Sequence, residues 1–267
     1  MKLNKALLII CAICFSMSTF AQEDNTLAIR DLQQKGWKIG LRAGINVGGT
    51  MPVPLPSEMK SINTFNPGLN LGIQVDFDKM WTSHWGTEFS LRFEQKGMKA
   101  DVTVENYHTK FKEGEDMVEC NYTGIQSTDF SANYITIPLN ARYRFNNRWS
   151  VLAGPYFSYV LSKRFGGDAS NGYERQLRPD PITGAMVPTG PKTIVDPENP
   201  VSYDFSDDMR PFNWGVEVGV DFQAFKHFLV FAHLDWGLND AFKDSFSETI
   251  SFPMYPVYGQ IGFGYNF

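Results

Sequence analysis

From Trp37 onward, apolar residues recur at every second position in eight separate stretches, the period of a β-strand with two unlike faces. In Trp37–Val47, the residues Trp37, Ile39, Leu41, Ala43, Ile45 and Val47 share one side, and Lys38, Gly40, Arg42, Gly44 and Asn46 share the other. The same alternation predicts strands over Leu69–Phe77, Trp85–Gly97, Ile135–Phe145, Trp149–Leu161, Trp214–Phe222, Phe228–Leu238 and Val257–Phe267. The short connections lie near Asp78–His84, Asn146–Arg148 and Ala224–His227. Between them come long ones, at about Gly48–Pro67, Ala100–Asn133, Ser162–Phe212 and Asn239–Met254. Short turns alternating with long loops are the layout of a barrel crossing a bilayer. Each strand, at roughly 9–13 residues, is long enough to cross at a tilt. The expected fold is therefore all-β: an eight-stranded antiparallel up-and-down transmembrane β-barrel with long extracellular loops.

The charges decide which face meets lipid. The polar faces carry Lys38, Arg42, Arg92, Lys96, Arg142 and Arg144 together with Asp76, Glu88, Glu94, Glu217, Asp221 and Asp235, six of each sign, interspersed with glycines. Such a balance suits a narrow lumen in which every buried charge needs a partner and glycines leave room for long side chains. The apolar faces place Trp37, Phe77, Trp85, Phe145, Trp149, Tyr159, Trp214, Phe222, Trp236 and Phe267 near strand ends, as expected of two interfacial aromatic girdles. A soluble barrel would point these faces the other way. Pro138 falls inside a predicted strand, where it cannot donate a ladder hydrogen bond, so a bulge or a local gap in pairing is expected there.

The mean hydropathy of −0.26 would otherwise suggest a water-soluble chain, and the longest uncharged apolar run, Ala6–Phe15, is too short for a spanning helix. That run follows Lys2 and Lys5 and precedes Thr19-Phe20-Ala21, which reads as a secretory signal over residues 1–21 with cleavage after Ala21. Residues 22–36 then form a periplasmic N-terminal segment and 37–267 the barrel. With Lys2 and Lys5 removed, 22 basic residues face 29 acidic ones, a net charge of −7 and the wrong sign for nucleic acid. Cleavage also leaves Cys120 as the single cysteine, so no internal disulfide holds the fold.

Candidate chemistry is sparse. His233 and Asp235 share a face, and Ser90 could reach the same lumen, but nothing in their spacing brings a Ser-His-carboxylate set into contact. His84, His108, His227 and His233 are scattered, without metal-ligand spacing. No catalytic residue, metal or cofactor is expected. A lumen filled with charge leaves no continuous water path, so general porin activity is not expected either. What remains is the loops, above all Ser162–Phe212, rich in proline and mixing Tyr, Arg and Met with acids. The expected role is non-enzymatic: surface recognition of an extracellular protein or glycan, or service to an envelope complex. The alternatives are an outer-membrane enzyme acting on lipid or peptide and a component of a protein secretion system.

Three stretches carry a resemblance. NYITIPLNARYRF (Asn133–Phe145), VLAGPYFSYVLS (Val151–Ser162) and the closing YGQIGFGYNF resemble the PorT-like outer-membrane β-barrel family of the Bacteroidota. Ile137-Pro138-Leu139 and Gly154-Pro155-Tyr156 stand in its motif positions, and HLDWGLND (His233–Asp240) is similar to its strand end, with Trp236 where Tyr is usual. The resemblance implies a barrel in the outer membrane of a Gram-negative envelope, with outer-membrane lipid around it. The founding member serves in a secretion system. The last strand also resembles the signal read by the barrel-assembly machinery during biogenesis, with Gln260, Gly262, Tyr265 and Phe267 in its register.

Overall fold

The computed structural model describes residues 36–113, 116–189, 191–248 and 252–267; the expected signal peptide and nearly all of the N-terminal segment lie outside them. Twelve strands follow in chain order: β1 (Gly36–Pro52), β2 (Met59–Asn66), β3 (Asn70–Met80), β4 (Trp85–Glu113), β5 (Asp116–Arg144), β6 (Trp149–Pro179), β7 (Met186–Pro188), β8 (Thr193–Val195), β9 (Val201–Asp204), β10 (Phe212–Gln223), β11 (Phe228–Gly237) and β12 (Met254–Asn266). Eight of them close a ring in the order β1-β3-β4-β5-β6-β10-β11-β12, antiparallel throughout. Closure is made by the first and last strands, β1 and β12, with Gly40 opposite Asn266 and Pro52 opposite Met254. The Phe267 amide donates to the Ile39 carbonyl at 3.0 Å, so the ladder runs to the last residue.

The ring strands stand where the alternation puts them. Three of them run much further. β4, β5 and β6 have 29, 29 and 31 residues, so most of the expected loop over Ala100–Asn133 and the first third of that over Ser162–Phe212 are strand. Beyond the bilayer neither face meets lipid, and the apolar-polar contrast that marks a spanning strand is lost. β2 adds to β4, and β7, β8 and β9 add to β6, giving an open sheet above the membrane.

This outer sheet has its own apolar core. Tyr107, Tyr122, Phe130, Phe165, Tyr203 and Phe205 pack with Met209, Phe242 and Phe246 from the loops around β10 and β12. Phe165 and Phe242 meet edge to face at 4.9 Å, and Phe205 and Phe246 at 4.8 Å. The cluster continues down to Tyr134 and Tyr258 inside the ring and so stoppers the outer end of the barrel.

At Pro138 the chain shows a gap and no bulge. The β4–β5 ladder pairs Phe89 with Leu139 and next Arg92 with Thr136, leaving Ser90 and Leu91 unpaired to β5 while the register is kept. Pro155 does the same to the β5–β6 ladder, which skips from Pro138↔Tyr156 to Ala141↔Ala153. A proline without an N–H removes a rung without displacing the strand.

Candidate functional site

The alternation turns every second residue of the ring strands inward, and there the polar faces meet. Arg42 on β1 lies over the Phe231 ring at 5.4 Å and reaches three carboxylates: Asp76 at 2.5 Å, Glu88 at 2.7 Å and Asp221 at 3.1 Å. Arg142 on β5 shares two of them, pairing with Asp221 at 2.6 Å and with Glu88, and adds Asp78 at 3.2 Å. One step outward, Arg92 holds Glu217 at 2.5 Å, Asp235 at 3.1 Å and Glu94 at 3.8 Å, while its Nε donates to Gln74 at 2.6 Å. Lys96 follows, 2.9 Å from both Glu94 and Asp235, inside a cage of Tyr134, Tyr156 and Tyr258 at 5.4–5.7 Å. Asn140 donates to Glu217 at 2.6 Å, and His233 stands between Asp221 (3.2 Å) and Glu217 (3.8 Å), joining the two tiers.

Arg42, Asp76, Glu88, Arg92, Glu94, Lys96, Arg142, Glu217, Asp221 and Asp235 are thus brought into one network. Arg144 is not. It stays half-buried at the periplasmic mouth and enters no ion pair with the described residues; Lys38 is likewise only half-buried there. Asp78 joins instead, because β3 continues to Met80 through what reads as a turn. Among the described residues the buried lumen therefore holds four cations, Arg42, Arg92, Lys96 and Arg142, against seven carboxylates, not six against six. His233 lies inward with Asp235, on the face the sequence puts it on, while Phe231, Gln74 and Asn140 are inward residues that the sequence analysis did not place in the network. Phe231 had a signal: Gly44 on β1 pairs with Gly262 on β12, and both would bring a Cβ within about 3 Å of its ring (3.1 and 2.8 Å), so the glycines clear a slot for an aromatic that in turn carries Arg42.

Burying an ion costs several kcal/mol even after relaxation, and the cost is offset only where hydrogen bonds saturate it. The polydentate ion pairs supply most of that compensation and lock the interior side chains together. Ser90 spends its hydroxyl on Asp76 at 2.8 Å, and His233 is engaged with Arg42, Asp221 and Glu217, so no Ser-His couple forms. Among the described residues no group of three or more His, Cys, Asp or Glu could hold a metal ion. With the lumen filled and its outer end stoppered, purified protein in planar bilayers should show no stable open-channel conductance; discrete openings at wild-type sequence would contradict the packing.

The outward face is apolar, with Ile39, Leu41, Leu71, Ile73, Leu91, Phe93, Val216 and Val218 exposed. Aromatics crowd its periplasmic edge: Trp85–Tyr143 at 4.8 Å, Tyr143–Phe145 at 5.1 Å, Trp149–Phe222 at 4.7 Å, and Tyr265 against both Phe228 and Phe267 at 5.1 Å. Of the last-strand residues with the assembly-signal register, Gln260 and Gly262 face the lumen, Tyr265 is half-buried at the rim, and Phe267 is exposed. Ile137 and Leu139 lie on the lipid side of β5, whereas Pro138 and Tyr156 face inward as cross-strand neighbours beside Gly154 and Pro155.

A closed antiparallel ring with a lipid-facing apolar belt, an aromatic rim and an ion-paired interior is an outer-membrane β-barrel. The chain belongs to the outer membrane protein beta-barrel domain family, whose model matches residues 20–243, and its place is the outer membrane. Among curated proteins none matches it. Solved structures similar to it include Ail, the attachment invasion locus protein of Yersinia pestis, in complex with the heparin analogue sucrose octasulfate (12% identity, 86% of this chain and 97% of that one, TM-score 0.36). Another is the outer membrane protein OprG from Pseudomonas aeruginosa (12% identity, 88% and 98%, TM-score 0.36).

Proposed function

We propose that this barrel is a non-enzymatic surface-recognition protein whose working part is the sheet above the membrane. The observation that carries the reading is the division of the molecule. The lumen is committed to internal ion pairs, while β4, β5 and β6 continue outward as a rigid platform with its own aromatic core. That platform exposes Ile62, Phe65, Ile182, Met186 and Ile194 to the extracellular space, with Ile182 at 93% exposure. Apolar side chains held out by ordered backbone suit contact with a protein or glycan ligand.

The finer reading places the chain near the PorT-like family, as a stand-alone receptor or as an accessory of an envelope complex. The cross-strand meeting of Pro138 with Tyr156 supports it, since both family motifs fall at one level of the wall. In the same reading residues 1–21 are cleaved, 22–36 lie in the periplasm, and Gln260, Gly262, Tyr265 and Phe267 address the assembly machinery.

The test is to replace residues 181–191 with a short Gly-Ser linker. This cut keeps Val195 and Tyr203, which are buried in the outer core, and so is cleaner than excising the whole segment from Gly172 to Pro200. Heat-modifiable gel migration should be unchanged. Adhesion of cells displaying the protein to immobilised extracellular proteins and glycans should fall several-fold. Equal adhesion by both forms would sink the reading.

A further inference from the structure

The lipid-facing wall is not uniform near its periplasmic edge. Across four neighbouring strands, Trp37 on β1 pairs with Lys79 on β3, Lys79 with Thr87 on β4, and Thr87 with Ala141 on β5. Thr87 and Ala141 are small, and the outward side chains around them are large. Together with Trp37, Phe77, Phe89 and Leu139 they line an open groove of about 360 Å³ on the outside of the barrel. Its upper wall, Phe89 opposite Leu139, is the last rung before the gap that Pro138 opens. Glu88 and Asn140 complete the lining, but their side chains are buried and engaged inside the lumen. The groove is therefore apolar, and its volume is within the range of ligand sites.

A cation stands at its periplasmic end. The Lys79 ammonium lies 4.2 Å from the Trp81 ring and 4.9 Å from that of Trp37. Trp81 is fixed in turn by its indole N–H, which donates to Thr87 at 3.1 Å. The two ring faces hold the ammonium in place but accept none of its hydrogens as a carboxylate would. Among the described residues no carboxylate pairs with it. Asp78 and Glu88, its acidic neighbours in the ladder, turn inward, and the three periplasmic turns, residues 81–84, 145–148 and 224–227, contain no Asp or Glu.

An apolar groove that ends at an oriented ammonium beside an aromatic rim has the two-part chemistry of a phospholipid. An acyl chain packs against Phe77, Phe89 and Leu139, and the phosphate meets Lys79 at the depth where interfacial Trp and Lys side chains sit. A second copy of this chain would have to bring a carboxylate to Lys79, and the turns at that depth offer none.

We propose that the groove over Thr87 and Ala141 binds one glycerophospholipid of the periplasmic leaflet, its acyl chain in the groove and its phosphate on Lys79 between Trp37 and Trp81.

The full barrel, delipidated and folded in a nonionic maltoside detergent, is titrated with dioleoylphosphatidylglycerol and, separately, with dioleoylglycerol, which has the chains without the phosphate. Native mass spectrometry counts what stays bound. One phosphatidylglycerol per barrel is expected to bind saturably, and dioleoylglycerol about tenfold more weakly. Lys79→Gln should weaken the phospholipid about tenfold, the strength of one charge-assisted hydrogen bond, while Lys60→Gln in the outer sheet should leave it unchanged. Ala141→Phe fills the groove and should remove the adduct, whereas Ala232→Phe, equally bulky at an exposed position of β11, should keep it. Heat-modifiable migration checks that each variant is folded. The proposal is overturned by absence of a saturable adduct, by equal binding of dioleoylglycerol, or by parent-like binding in Lys79→Gln or Ala141→Phe. It is equally overturned if Lys60→Gln or Ala232→Phe loses as much, or if the groove is found closed by a barrel dimer that Ala141→Phe dissociates.

Discussion

Arg92→Met should lower the unfolding free energy of the barrel by about 3–5 kcal/mol, the loss found when one partner of a buried charge cluster is removed and its counter-charges stay behind. The side chain is fully buried and holds Glu217, Asp235 and Glu94 as well as Gln74. Methionine fills much of the same volume yet offers none of these carboxylates a hydrogen, and Lys96 can answer only Asp235 and Glu94. Urea unfolding in lipid vesicles, followed by tryptophan emission, is the measurement. Arg92→Lys should fall between parent and Met, because an ammonium restores charge without the planar fork. An unfolding midpoint for Arg92→Met equal to that of the parent would mean that the network does not hold the wall strands together.

A comparable effect is expected from Gly262→Val through sterics alone. A Cβ at this position would stand 2.1 Å from the Ala43 carbonyl oxygen and 2.8 Å from the Phe231 ring. The first clash is with the backbone of β1 at the seam between β1 and β12, so the strands must part or the ring must fail to close. Overpacking of this kind costs about 1–3 kcal/mol when only side chains yield, and more when backbone must move. Most of the variant should therefore run as the unfolded band on unboiled gels. Adding Phe231→Leu relieves only the ring contact and should not restore the folded band; full rescue by it would show that the backbone clash is harmless.

The eight ring strands were legible because lipid on one side and a narrow lumen on the other force strict alternation on residues such as Ile39, Arg42 and Ile45. The outer halves of β4, β5 and β6 were not, since a segment such as Thr103–Lys110 meets water, neighbouring loops and its own small core by turns and writes no period. Within the lumen, Arg92 and Glu217 could be assigned to one interior, but not to each other: their separation around the ring depends on stagger, which alternation does not encode. Asp78 was lost to a turn because Lys79 and Met80, which extend the strand, do not continue the apolar pattern. Arg144 was expected inside on parity alone, and parity is blind to depth.

The long β4–β5 ladder, paired from Glu113↔Asp116 down to Trp85↔Tyr143 with a gap at Pro138 and one irregularity between Val104 and Tyr107, has a mechanical meaning. Antiparallel hydrogen bonds lie across the strands. A tug along the hairpin from its extracellular tip draws β4 and β5 together and therefore loads the many rungs to β3 and β6 at once in shear instead of opening them one by one. Some 16 residues of β4 beyond Gly97, at about 3.3 Å each, give an arm of up to about 50 Å along the strand. Whatever grips that arm pulls on the wall of the barrel itself, so tension arising outside the cell is borne by the membrane-embedded ring and not by a flexible tether.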